Sequence, residues 1–316
     1  MGTTYSVSLN SDIRDELDSS IFEIFDSVNS DMSTYLESSL ISKVNKTPID
    51  QWVQVNDNFL EVLGYAQNLC YITNGVYDVS VGALVNRWGF GSDDVTKKPT
   101  DAELNFYKKE IGCDSFEINT NNNEVRRINE ISLDFSSIAK GFAIDKVYSY
   151  LSNSKELKNF LVELGGEIRA TQFKDGETNS GLVLFNKRSS SKGWKIGVVD
   201  PQDPKKLIYT FNSGDFDSFS MATSGDYRNI RFLDEDEFSH TINTKTGNPK
   251  SVSKRSVSVI ADNAMKADAL ATALNAMDLI VALEFANSKK IKALFLFEDE
   301  ESTKILFSDS LQKVKI

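Results

Sequence analysis

Apolar residues recur early in the chain at the spacing of helices that turn one face to a core. Ile13, Leu17, Ile21, Ile24, Phe25 and Val28 follow Ser11 and Asp12 as caps, and Phe59, Val62, Leu63, Ala66, Leu69 and Cys70 form a second stripe between about Asp57 and Thr73. Asn74-Gly75 supplies a stop for the second helix. Thr100-Asp101-Ala102-Glu103 has the spacing of a capping box. Ile138, Phe142, Ile144, Val147 and Leu151 mark another helix with Lys140 at its start, and the alanine-rich run from Ala264 to Met277 predicts a strong helix. Sheet-like runs fall at Thr4 to Leu9, Leu161 to Leu164, Trp194 to Val199, Ser256 to Ile260 and Ile291 to Phe297, the last before a turn-like acidic stretch, Glu298 to Glu301.

Helices and strands are mixed throughout, with no fixed-period repeat and no low-complexity linker beyond Ser189 to Ser191. Neither a regular strand-helix cadence nor a G-x-G-x-x-G after a strand is present, which argues against a doubly wound dinucleotide fold. The expected class is α+β, with mixed sheets and helices in one domain spanning 1–316. At 316 residues and 40% hydrophobic content the chain can bury a sizeable core. Its net charge of -11, without a segregated Lys/Arg run, excludes nucleic acid as a natural partner. Cys70 and Cys113 are too few for a disulfide framework and lack the spacing of a zinc site, so both are read as packing residues without chemistry.

Candidate chemistry concentrates at the end of the chain. Asp268 and Thr272 are four apart in the alanine-rich segment and share one helical face. A carboxylate and a hydroxyl from one turn are hard oxygen ligands suited to Mg2+, which completes its octahedron with water or substrate phosphate. Spacing alone favours the plainer reading of an aspartate on a solvated face beside a packed threonine. His240, the single histidine, opens a polar run to Gly247 that reads as an exposed loop between strands, where functional residues concentrate. Met221 to Tyr227 reads as a similar small-residue loop, and the glycines of Thr73 to Asp78, Trp88 to Gly91, Leu133 to Gly141 and Glu163 to Gly166 permit close backbone approach to a phosphate.

Taken in order, these stretches resemble the ApbE flavin transferase family. The resemblance runs from Met1-Gly2-Thr3 through Met32 to Tyr35, Gly75 to Asp78, Ser136 to Gly141, Leu164 to Gly166, Thr223 to Tyr227 and His240 to Gly247, ending at Ala267, Asp268 and Thr272. It implies an α+β unit of two subdomains with FAD held between them and Mg2+ on the diphosphate, which reverses the plainer reading of Asp268 and Thr272. Carried over by position, it implies FAD contacts from Met1, Tyr35, Val76, Tyr77, Asp78, Asp134, Lys140 and Ile242. The metal ligands implied are Asp268, Thr272 and the main-chain oxygen of Ser137. Two departures stand out: Ser136-Ser137 replaces the family's Gly-Ala, and Asn243-Thr244 replaces its Asp-Pro, which predicts altered loop stiffness without loss of chemistry.

The implied reaction is transfer of FMN from FAD to a threonine or serine hydroxyl of a target flavoprotein through a phosphoester bond, with release of AMP. His240 is the preferred general base and Asp268 its rival, a poorer base when bound to metal. Two alternatives stay open: hydrolysis of FAD to FMN and AMP, and a non-catalytic FAD carrier. The family further implies acceptors such as a subunit of the sodium-translocating NADH:quinone reductase or a related electron-transfer complex. It also implies a periplasmic or membrane-anchored protein on the extracytoplasmic side with its export segment absent from this chain, although cytoplasmic members exist.

Overall fold

The β-rich runs assemble into a seven-stranded sheet, antiparallel throughout, in the order Tyr5–Leu9, Phe160–Leu164, Glu167–Ala170, Phe219–Gly225, Ser256–Ala261, Lys292–Asp299 and Ser302–Phe307. The computed structural model describes residues 2–9, 14–92, 95–155, 157–172, 193–203, 205–227, 229–253, 255–299 and 302–314. Met1, Ser11, Asp12, Ile13 and Ser189 to Ser191 lie outside them. The chain divides into two compact units, both discontinuous in sequence: 1–25, 140–225 and 253–316 form the first, and 26–139 with 226–252 the second.

In the first unit the two faces of the sheet are read off the period-two alternation of its strands. Met221 pairs with Ile260 and packs with Leu161, Leu294 and Leu296 against the hairpin strands Lys195–Val199 and Leu207–Asn212, which contribute Ile196, Val198 and Phe211. Ala222 pairs with Val259 and Ser224 with Val257, and on that opposite face lies the helix Ala264–Ala276. Its alanines at 264, 267, 269, 271 and 273 are fully buried, because small side chains let the helix lie close on the strands. The helix Ala139–Ser149 meets its start at Gly141, where a Cβ would stand 2.2 Å from the Ala264 carbonyl oxygen. Only glycine permits that approach.

The second unit holds the helices Leu40–Lys46, Asp57–Ile72, Gly82–Arg87 and Asp101–Glu110 with two three-stranded sheets. One sheet is formed by Val53–Gln54, Glu124–Arg127 and Phe116–Asn119, the other by Ile230–Leu233, Asp236–Ile242 and Pro249–Ser251. The expected capping box forms: the Thr100 side chain accepts from the Glu103 amide while Glu103 accepts from the Thr100 amide at 2.7 Å. Asn74 and Gly75 take positive φ of 51° and 76°, ending the helix Asp57–Ile72 as the sequence implies.

Three expectations are corrected. Cys70 and Cys113 form a disulfide, with Cα atoms 5.6 Å apart across 43 residues of sequence. Counting cysteines against a framework obscured that two suffice for one bridge. The run from Met221 to Gly225 is a strand of the main sheet, with the small side chains of Ala222 and Ser224 facing the helix Ala264–Ala276. His240 lies in the strand Asp236–Ile242, half-buried, and the loop proper begins only at Asn243. Among the described residues no helix is long and apolar enough to cross a membrane.

Candidate active site

Asp268 is 3% exposed in the middle of a helix, which rules out the solvated-face reading. Its Oδ2 accepts a hydrogen bond from the Gly141 amide at 3.0 Å and stands 3.8 Å from Lys140 Nζ. Burial raises its pKa first, the Lys140 charge and the Gly141 amide oppose that, and Asp145 adds to the rise. Thr272, one turn on and half-buried, shares a 3.2 Å hydroxyl contact with Ser224 on the strand beneath. The start of this helix is satisfied twice over. Asn263 accepts from the Lys266 amide, and the two Asp145 oxygens accept from the Ala264 and Met265 amides at 2.9 Å each. Arg169 in turn pairs with Asp145.

Sequence reasoning missed Glu167. It follows the hairpin turn Gly165-Gly166, both residues at positive φ (60° and 98°), as the first residue of the next strand. Only 5% exposed, it takes Lys140 Nζ at 3.2 Å on Oε1, while Oε2 is buried without a hydrogen-bond partner. Its pKa is pushed up to about 7: burial leads, Lys140 pulls the other way, and the nearby Asp268 charge adds to the rise. The local signal for it was a carboxylate placed immediately after a glycine pair in a sheet turn.

In the second unit the expected FAD-contact residues are set by side chains that grip the backbone. Thr73 donates to the Leu69 carbonyl at 2.7 Å and accepts from the Tyr77 amide at 3.1 Å, closing the turn that presents Val76 and Tyr77. Buried Tyr77 and half-buried Ser137 share a 3.0 Å hydroxyl contact. Asp78 is buried and accepts from the Ser80 amide at 2.8 Å; burial raises its pKa against that bond. Asp134 accepts from the Ser136 amide at 2.7 Å, and its residue 133 neighbour is clamped by Asn45, whose amide group both donates to the Leu133 carbonyl and accepts from the Leu133 amide. Tyr35 is 65% exposed and donates to the Phe90 carbonyl at 3.2 Å.

The strand carrying His240 and Ile242 breaks register with Pro249–Ser251 between Phe238 and Ile242, the kind of irregularity that re-aims side chains beside active sites. Ile242 is buried with Leu84, Trp88, Leu104 and Leu233. Beyond it, Asn243 Oδ1 accepts from the Lys245 and Thr246 amides, and the Gly247 carbonyl accepts from the Trp88 indole at 2.8 Å. Asn243 thus closes the turn as an aspartate would. Thr244 donates to the Gly75 carbonyl at 2.6 Å, tying this turn to the one before Val76. Met1 lies outside the described residues.

Asp268 and Thr272 are the only expected metal-ligating side chains, and among the described residues no group of three His, Cys, Asp or Glu is arranged to hold an ion. One carboxylate and one hydroxyl still suit Mg2+, which takes few protein ligands and completes its shell with substrate phosphate and water. The burial of Asp268 without full compensation is consistent with that donor set.

The chain is similar over nearly its whole length to proteins of known kind. A FAD:protein FMN transferase from Vibrio cholerae is 34% identical over 99% of this chain and 90% of its own, and one from Haemophilus influenzae is 31% identical over 99% and 89%. The solved flavin transferase ApbE from Vibrio cholerae matches with a TM-score of 0.82 at 32% identity, covering 99% of this chain and 96% of that one. With the ApbE family model matching residues 1–295, this chain belongs to the ApbE family.

Proposed function

We propose that this protein transfers FMN from FAD to a serine or threonine hydroxyl of a target protein, with Mg2+ held at Asp268 and Thr272. The observation that carries this reading is Asp268: a carboxylate buried mid-helix, one turn from a hydroxyl and beside Lys140, in a chain of this family. The main-chain oxygen of Ser137, three residues before Lys140 in the turn that leads into its helix, is the third ligand in this proposal.

The acceptor oxygen attacks the FMN-side phosphorus, the bond from that phosphorus to the bridging oxygen breaks, AMP leaves, and the acceptor proton passes to His240. When bound, Mg2+ supplies charge neutralisation at the diphosphate oxygens. Lys140 adds a positive charge for those oxygens. Tyr35, Val76, Tyr77, Asp78, Asp134 and Ile242 contact FAD, and the turns bound by Thr73 and Thr244 hold the Val76 to Asp78 backbone in place for it. A catalytic role for Asp268 as base is secondary to its role as ligand.

As acceptor we propose an electron-transfer subunit, such as one from the sodium-translocating NADH:quinone reductase, and as location the extracytoplasmic side. The Cys70 to Cys113 bridge favours the same location, because disulfides persist in oxidising compartments. Intact-mass measurement after incubating the enzyme with FAD, Mg2+ and a candidate acceptor tests the activity. An acceptor heavier by one FMN less water is expected. FMN and AMP released with the acceptor unmodified would replace transfer by hydrolysis.

A further inference from the structure

Two buried carboxylates share one ammonium in the first unit. Lys140 Nζ stands 3.2 Å from Glu167 and 3.8 Å from Asp268, and both acidic residues are buried. In a desolvated cluster each ångström matters, since charge interactions scale inversely with distance and with a low effective dielectric. An ammonium drawn fully onto Asp268 would occupy and neutralise the carboxylate a divalent cation requires.

We propose that Glu167 is a positioning residue that holds the Lys140 ammonium off Asp268, leaving that carboxylate available to the metal. This rests on the reading of Asp268 as a Mg2+ ligand. Three features of Glu167 support it. Its place immediately after the Gly165-Gly166 turn, as the first residue of a strand, sets the carboxylate on the sheet. Its bond to Lys140 is shorter than the one Lys140 makes to Asp268. Its Oε2 is buried without a hydrogen bond, a desolvation cost that a residue serving only to fill the sheet interior would not carry. Glutamine in its place keeps the shape and removes the competing charge, so Lys140 then pairs with Asp268.

The test is a Mn2+ titration followed by the EPR signal of the free ion, with FAD at a concentration that saturates each protein and no acceptor, on wild type, Glu167→Gln, Lys140→Met, the double variant and Asp268→Ala. Glu167→Gln is expected to weaken Mn2+ binding about tenfold, the scale on which groups behind a metal ligand act. Lys140→Met binds at least as tightly as wild type. In the double variant the loss disappears, because no ammonium remains to compete. An equal loss from Glu167→Gln in both Lys140 backgrounds would mean simple through-space attraction, and no loss in either would mean a structural role; each result overturns the proposal. If Asp268→Ala binds Mn2+ like wild type, the metal reading falls and this inference with it. If Asp268→Ala abolishes binding while the Glu167 effects are additive, only the role of Glu167 falls. Should Glu167→Gln fail to fold, Glu167→Asp, which keeps the charge one methylene further from Lys140, is expected to weaken Mn2+ binding in the same direction, and unchanged binding there also overturns it.

Discussion

Two glutamates of this chain have been moved in opposite directions. Glu167, buried in the first unit beside Asp268 and Lys140, is pushed up to about 7, chiefly by loss of solvent. Glu103, on the first turn of a surface helix in the second unit, is pulled down to about 2, first by its hydrogen bond to Arg87 and then by the Thr100 cap. The carboxylate near the proposed chemistry opposes folding in its charged form, and the carboxylate at the helix end supports folding in that form. The charge on Glu167 is a cost to the fold, whereas the charge on Glu103 finishes a helix. The difference follows from burial, since both glutamates have a cationic partner.

The largest expected effect breaks the first unit's side of the comparison. Asp268→Ala removes the proposed charged ligand and should reduce FMN transfer to near background. Thr272→Val keeps the shape, loses a neutral oxygen, and should raise the Mg2+ concentration required while leaving turnover at saturation. Activity measured against Mg2+ in the three proteins checks this, and superimposable curves would remove the metal from the site.

Replacing His240 with alanine should slow transfer by about a hundredfold, the usual scale for a general base. FAD binding should survive, because the turns that shape the Val76 to Asp78 segment depend on Thr73 and Thr244. Full turnover of the variant from pH 6 to 8, read by steady-state rates, would assign His240 a structural part in its irregular strand.

Removing the Cys70 to Cys113 bridge should destabilise the second unit by about 4 kcal/mol, the entropy of closing a loop of this length on the chain-entropy account. Denaturant unfolding of Cys70→Ser with Cys113→Ser, compared with wild type with and without reductant, measures it. Identical midpoints would show the bridge to be dispensable.

The two pH dependences sharpen the comparison further. A carboxyl raised in the folded state binds its proton more tightly there, so the stability linked to Glu167 is full below about 4.3, the unfolded value, and is lost as pH rises through about 7. Wild type should therefore lose stability over that window relative to Glu167→Gln when both are melted without divalent metal. Parallel stability profiles for the two proteins would mean that the Lys140 charge offsets the effect of burial on Glu167.

Much of this was legible in the sequence, for local reasons. The capping box at Thr100 and Glu103, the stop at Asn74-Gly75 and the pairing of Asp268 with Thr272 on one face depend on spacings of one to four residues, which a chain displays directly. What was hidden depends on partners brought close by the fold. Asp145 caps a helix more than a hundred residues away, Cys70 meets Cys113 across two intervening helices, and Glu167 acquires its environment from Lys140 and Asp268. His240 was misplaced in a loop because a short, half-buried strand with polar neighbours has the composition of one.

The smallest effect belongs to the helix end. Thr100 accepts from the Glu103 amide, and Glu103 accepts from the Thr100 amide and hydroxyl while holding Arg87 at 2.8 Å. Thr100→Ala leaves an amide of the first turn without its cap and should cost about 1 kcal/mol, the typical loss at such a position. Glu103→Gln keeps part of the box but surrenders the ion pair, which at this exposure contributes at most about 1 kcal/mol. Because the folded pKa of Glu103 is depressed, its contribution is present above about 4.3 and lost as pH falls through about 2. The wild-type advantage over Glu103→Gln in denaturant melts should therefore shrink on acidification, opposite in sign to the trend at Glu167. Should that advantage grow as the solution is made acidic, the charge on Glu103 would not be what completes this helix, and the contrast between the two glutamates would lose its second half.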